Sequence, residues 1–535
     1  MQMFLKRLLA AALSFALVSG ISVGAAPVAF AAEPSQEATA TATATASVET
    51  TSNVAVSNTV APVATAGTDV CEIGSTRYAT LQDALNATPQ NTPTTIKLLR
   101  NISVTTGLSI SYETITFDLD GYTLALSNTG GNGLTLTDSV IEYSNPGSFT
   151  ASAIDGSALV IKDGSCELTG ASMQLSTTNN GSSAGKAIAS SGDAKVVVNG
   201  DVSASGLNSN GVSSFDNSQV IVNGNVLAKG RAWGVFPVDS SQITVNGNII
   251  ATSGDGVSTN SPDARVKVIG DIRVGTNDLE GYLSNAVYAG YGAVVTVQGN
   301  LVATGKAAYG VIADEGSQVT VTGNISTDNG EGVHADGKDT RVTVTGNILA
   351  RGEDGANWAV NTEHDAEVVV TGNIIAKGSE SVGVCAVRGY ATISGNVTAR
   401  DGTGVFASPD FVGPDAAGAR VTINGAITAL TYITLGNATG YDAHLKPSDF
   451  TTLTTRKGYR TYTDGVSTVW VRVMKKGGGN GGGSGSGGNS NPTSTVTTPL
   501  KLLKTGDKSS LAVVGTVTLL ILGAALFVVL RRRSA

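Results

Sequence analysis

Cysteine, histidine and charge are all scarce in this chain. Cys71, Cys166 and Cys385 are its three cysteines, far apart in 535 residues, and an odd, scattered set builds no disulfide framework. The three histidines, His334, His364 and His444, form no HxxH pair and no CxxC accompanies them, so no zinc spacing exists. Charged residues make up 14%, against roughly 25% in ordinary globular chains. The net charge of −8 becomes more negative once the basic ends are set aside, which leaves no patch suited to nucleic acid. What is plentiful is glycine, 67 residues of it, together with Val, Thr, Asn and Ser, a mixture that makes short strands and tight turns.

One pattern returns through the middle of the chain: "VIVNGNVLAKG", "ITVNGNIIATSG", "VTVQGNLVATG", "VTVTGNILARG" and their kin. Its glycine falls at Gly200, Gly224, Gly247, Gly270, Gly299, Gly323, Gly346, Gly372, Gly395 and Gly425, mostly 23 or 24 residues apart. Such a period marks a solenoid. Apolar residues alternate within each unit, as at Val220, Val222, Val226 and Ala228, and a period of two means strand. A second short strand follows about ten residues after the glycine, at Gly211-Val212, Gly234-Val235, Gly256-Val257, Gly310-Val311, Gly332-Val333, Gly383-Val384 and Gly404-Val405. No unit has a helical period, so helical and leucine-rich repeats are excluded. The expected fold is all-β, a single-stranded parallel β-helix over 68–474, with each coil rising roughly 4.8 Å on the last. The long intervals before Gly299, Gly372 and Gly425 are insertions at turns.

Before the first coils, "TRYATLQDALNATPQNTPTTIKLL" offers a short amphipathic helix around Leu81 and Leu85, and "YRTYTDGVSTVWVRV" closes the far end as a hairpin turning at Asp464-Gly465. The whole of this region resembles pectin-lyase-like right-handed β-helices of bacterial surface proteins. That resemblance implies an N-terminal helix that plugs the open end, where bare strand edges would otherwise invite pairing.

Both ends carry addresses. Residues 1–31 hold Lys6 and Arg7, an apolar stretch and the small-x-small site Ala29-Phe30-Ala31, the form of a secretory signal peptide. An Ala/Thr-rich spacer (32–67) follows, and a Gly/Ser/Thr-rich linker (475–501) leaves the coils. Residues 511–530 are uncharged over a length that spans a bilayer, and Arg531 to Arg533 come after them. The tail 502–535 resembles the LPXTG-type sorting signal of Gram-positive cell-wall proteins, carried here by Leu502, Leu503, Lys504, Thr505 and Gly506, with Leu503 where that family has proline. The resemblance implies that a sortase cuts after Thr505 and joins the chain to peptidoglycan at the cell surface. If the signal is not read, 511–530 serves as a membrane anchor.

Aligned on the Gly-Val strand, successive coils place Asp314, Asp336 and Glu363 three residues past the valine, one coil spacing apart. Like charges so spaced call for a proton or a cation, and calcium is the cofactor these three would take. His334, Glu315, His364 and Arg388 lie beside them. One position before the Gly-Val pair stand Trp233, Asp255, Tyr309, Glu331 and Trp358, whose aromatic faces suit a sugar chain. Two carboxyls on neighbouring coils also suit glycoside chemistry, although the NTD, DD, GHG and RIK segments of polygalacturonases are missing. The recurrent Asn after the repeat glycine reads as a structural ladder. The expected role is therefore display or adhesion through an extracellular glycan or protein ligand, with a polysaccharide lyase or hydrolase as the competing expectation.

Overall fold

The computed structural model describes residues 68–474 apart from 180–184, 276–282, 306–307, 353–356, 410–416 and 437–441. The leader, the spacer, the linker, the sorting signal and the 511–530 span lie outside the described residues, as do parts of the three insertions. Among the described residues no helix is long and apolar enough to cross a membrane.

The chain winds into an all-β solenoid of about 13 turns. Each regular coil contributes three strands, one more than the alternation alone suggests. In one coil these are Gln219–Val222, Val226–Lys229 and Trp233–Pro237, and each pairs in parallel with its counterpart in the next coil. The apolar run splits because Asn223-Gly224-Asn225 makes a corner in its middle, yet Val220, Val222, Val226 and Ala228 all stay buried. The pattern of apolar residues thus carries across the corner while the strand does not.

The register stacks like on like. On the first face Val220, Ile243, Val266, Val295, Val319 and Val342 form one inward column. On the second, Val226, Ile249, Ile272, Leu301, Ile325 and Ile348 form another. The third is lined by Val257, Val287, Val311, Val333, Val360 and Val384. Each such side chain contributes roughly 1.5–3 kcal/mol by burial, which makes a long core the source of stability in a chain whose three cysteines are buried and far apart.

The repeat glycine is fixed by closeness. A Cβ on Gly346 would run into the backbone carbonyl of Gly323 one coil earlier, so the corners touch main chain to main chain. The Asn that follows closes the gap on its outer side. Asn347 donates from its backbone N–H and its side-chain amide to Asn324 Oδ1 at 2.9 and 3.1 Å, and Asn324 does the same to Asn300 at 3.0 and 3.2 Å. This ladder also takes in Asp201 and Asp271, acids that serve as acceptors for Asn225 and Asn300.

At the N-terminal end the helix Leu81–Asn86 is capped by Thr80 and sends Leu81, Ala84 and Leu85 into the core. Strand Cys71–Ile73 pairs antiparallel with both Thr76–Tyr78 and Thr94–Leu98. At the C-terminal end Thr468–Arg472 adds to Arg420–Ile423 as one more coil strand, and Tyr459–Thr463 folds back on it antiparallel. Tyr462 is fully buried there, against Tyr432 and Phe450. The turn is held by Asp464 Oδ1, which accepts from the N–H groups of Val466 and Ser467.

Candidate functional site

The third face differs from the other two in what it does with its outward positions. On the first face Gln219, Gln242, Arg265 and Gln318 point out and are exposed. On the third, the residue after the inward valine runs Ser213, Phe236, Ser258, Tyr288, Ile312, His334, Asn361, Cys385 and Phe406 along the coils. Several of these outward side chains are nonetheless buried, Asn361 at 0% exposed and Cys385 at 2%. Polar groups on this face are therefore partly withdrawn from water.

Withdrawal changes their chemistry. Asp255 is pushed up to about 6 by burial, even though Asn285 donates to its Oδ1 from the backbone at 2.8 Å and from the side chain at 3.0 Å. Asp314 is likewise pushed up to about 6, first by burial and then by the charge of Glu315 and Asp336, with Tyr288 Oη donating to its Oδ2 at 3.3 Å. Burial opposes the charged form of His334, but the Glu331 carboxylate, 2.9 Å from its Nδ1, outweighs that, and Glu363 and Asp336 add to it, so the imidazole rises to about 9. Burial works against the Asp336 carboxylate too, yet His364 Nδ1 at 2.6 Å from Oδ1 holds it below the usual carboxylate range.

The column of three acids divides in two. Asp336 stands opposite Glu363 in the register, and with His364 they offer ligand atoms within 4.8 Å of one another. Asn361 Nδ2 donates to Glu363 Oε1 at 2.9 Å and lies 3.1 Å from His334 Nδ1, tying this group to the Glu331–His334 pair. Asp314, one coil earlier, turns instead toward Tyr288. Arg388 is engaged by Asp365, at 2.7 Å. Of the aromatics, Tyr309 pairs in register with Asn285 and Trp358 with Val382, flanking the Glu331 coil. Trp233 sits three coils away from Tyr309, 39% exposed, its ring 4.7 Å from that of Phe236.

Several participants escape alignment on Gly-Val. The coil Ser284–Gly290 has Ala286 where the glycine should be and follows an insertion, so Asn285, Tyr288 and Gly290 drop out of the pattern. On the first face, a broad open depression of about 820 Å³ lies between Arg341, Glu367, Tyr390, Arg420 and Trp470. Its one sequence signal is the run of bulky residues at the outward position.

Residues 264–410 match the NosD family, described as periplasmic copper-binding protein. The NosD match, to a family of parallel β-helices, agrees with the observed solenoid and spans the coils that carry Tyr309, Asp314, His334, Asp336, Trp358 and Glu363. It covers a little over a quarter of the chain and leaves out Trp233. No curated protein and no solved structure matches the chain.

Proposed function

We propose that this is an exported surface protein whose third face binds an extended glycan. The observation that supports it is the register: Val311, Val333 and Val360 stack coil on coil, which sets Tyr309, Glu331 and Trp358 before them in one row and Asp336 opposite Glu363, a repeat at the coil spacing as a polymer of like units requires. Export is in keeping with residues 1–31 and with the periplasmic description of the matched family. Attachment rests on Leu502, Leu503, Lys504, Thr505 and Gly506 as a sortase signal, or on 511–530 as a membrane span. Mass analysis of the C-terminus after muramidase digestion decides between them: an end at Thr505 carrying stem peptide means peptidoglycan linkage, and an intact tail means a membrane anchor.

Glycan binding is tested on an array with the secreted chain. Trp358→Ala should weaken a hit by about 2 kcal/mol or more, as loss of a central aromatic does, while Tyr390→Ala on the first face leaves it unchanged. Unaltered binding by Trp358→Ala and Tyr309→Ala would remove the third face from consideration.

The opposite shifts of Asp314 and Asp336 on adjacent coils favour a second reading, a polysaccharide lyase or hydrolase with Asp314 as the acid and Asp336 as the charged partner. Asp336→Asn then abolishes turnover of an acidic polysaccharide. The copper in the matched family's description meets a limited donor set. Between 264 and 410 the chain has no methionine, Cys385 is buried, and His334 is held by Glu331, leaving His364 as the imidazole that would join Asp336 and Glu363. One imidazole and two carboxylates suit a divalent ion that accepts oxygen and nitrogen ligands, not reduced copper.

A further inference from the structure

Between Asn260 and Asp314 the outward column of the third face lacks a side chain. The position three past the inward valine runs Asn260, Gly290, Asp314, and Asn260 pairs with Gly290 in the register. Gly290 has no left-handed backbone to accommodate, so its smallness serves space. A Cβ there would lie 2.5 Å from Asp314 Oδ1, 2.7 Å from Asn260 Oδ1 and 3.4 Å from Tyr288 Oη. Both Oδ1 atoms are shut off from solvent, and neither has a hydrogen-bond partner among the described residues. Two acceptor oxygens therefore face one gap from opposite sides with no donor between them, an arrangement that costs free energy unless something fills it.

We propose that this gap is a cation site, with Asn260 Oδ1, the Asp314 carboxylate and Tyr288 Oη as its protein ligands and calcium as the ion that fits. The donors are all hard oxygens, the ligand type that calcium takes. The surrounding charge has the right sign: Glu315 and Asp336 both act on Asp314, and a cation answers them as well as the buried carboxylate. Asp336 is different, since His364 already faces it, so the neighbouring acid cluster has a partner that the gap lacks. Few protein ligands imply weak binding, in the roughly 0.1–1 mM range of extracellular calcium modules. The site is independent of whether the face binds a glycan.

The full chain is titrated with calcium alone, reading melting temperature and the displacement of terbium, whose emission Tyr288 would sensitise. Millimolar calcium should raise the melting temperature and quench that emission. Asn260→Leu and Asp314→Asn should each lose the thermal shift and weaken calcium's displacement of terbium by about tenfold or more. Glu363→Gln, in the neighbouring cluster, should keep both responses. The proposal falls if the wild-type chain ignores calcium, which would leave a proton or a water in the gap, if Asn260→Leu responds normally, or if Glu363→Gln alone removes the effect. Asp314→Asn removes a buried charge, so its folding is not at risk and its result counts either way.

Discussion

A single carboxyl, Asp255, shows what the sunken face does to one side chain. Its pKa of about 6 lies above the roughly 3.9 of an unfolded chain, so the native state holds its proton more tightly. Stability therefore falls as pH rises from about 4 to about 6, and the loss of about 3 kcal/mol is complete above that window. Asp255→Asn keeps an acceptor for Asn285 and removes the charge. It should raise the melting temperature at pH 7.5 and match the wild type near pH 4, and parallel pH curves for the two proteins would contradict this. His334 behaves in the other sense. Its pKa is raised, so the stability it gives with Glu331 is present below about 6.5 and lost as pH climbs through about 9. In Glu331→Gln the imidazole should titrate near its usual value by NMR. Sequence alone placed Asp314, Asp336 and Glu363 in one column, because the Gly-Val mark counts coils. It did not separate Asp314 from the other two, since that depends on Tyr288 and Gly290 in a coil that lacks the mark.

At the scale of the element, the corner ladder is a side-chain contact that recurs from coil to coil. Asn324 accepts two hydrogen bonds from Asn347 and gives two to Asn300, in an exposed setting where water can stand in. Asn324→Leu should lower the unfolding free energy by about 1 kcal/mol, and Asn324→Asp by less, since Asp271 already fills the acceptor role elsewhere. Denaturant titration of the two variants checks the order, and equal losses would mean that the side chain does not bond as described. The ladder was readable from the spacing of Asn after glycine. The corner that splits each apolar run into two strands was not, because the inward parity of Val222 and Val226 continues across it.

For the whole molecule, stability is distributed along the stack, and the vulnerable places are its ends. The strand Thr468–Arg472 covers Arg420–Ile423, whose edge would otherwise be open. Deleting residues 459–474 should leave a chain that still folds over its central coils but self-associates, seen by size exclusion as species larger than the monomer. A monomeric product would show that the hairpin is dispensable as a cap.

The ladder has one more property. From Asn225 to Asn373 the carboxamides point their oxygens toward the following coil and their nitrogens toward the preceding one, with Asp271 standing in at one coil, and Asn396 Oδ1 accepts from Ala426 N–H at the end of the series. Aligned in this way, the side-chain dipoles add, giving the corner a polarity with its positive end at the early coils, much as peptide dipoles do in a helix. The residue found at that positive end is a carboxylate, Asp201, accepting from Asn225. The stack thus opens with an acid where a helix would also place one, and its two ends are electrically unlike.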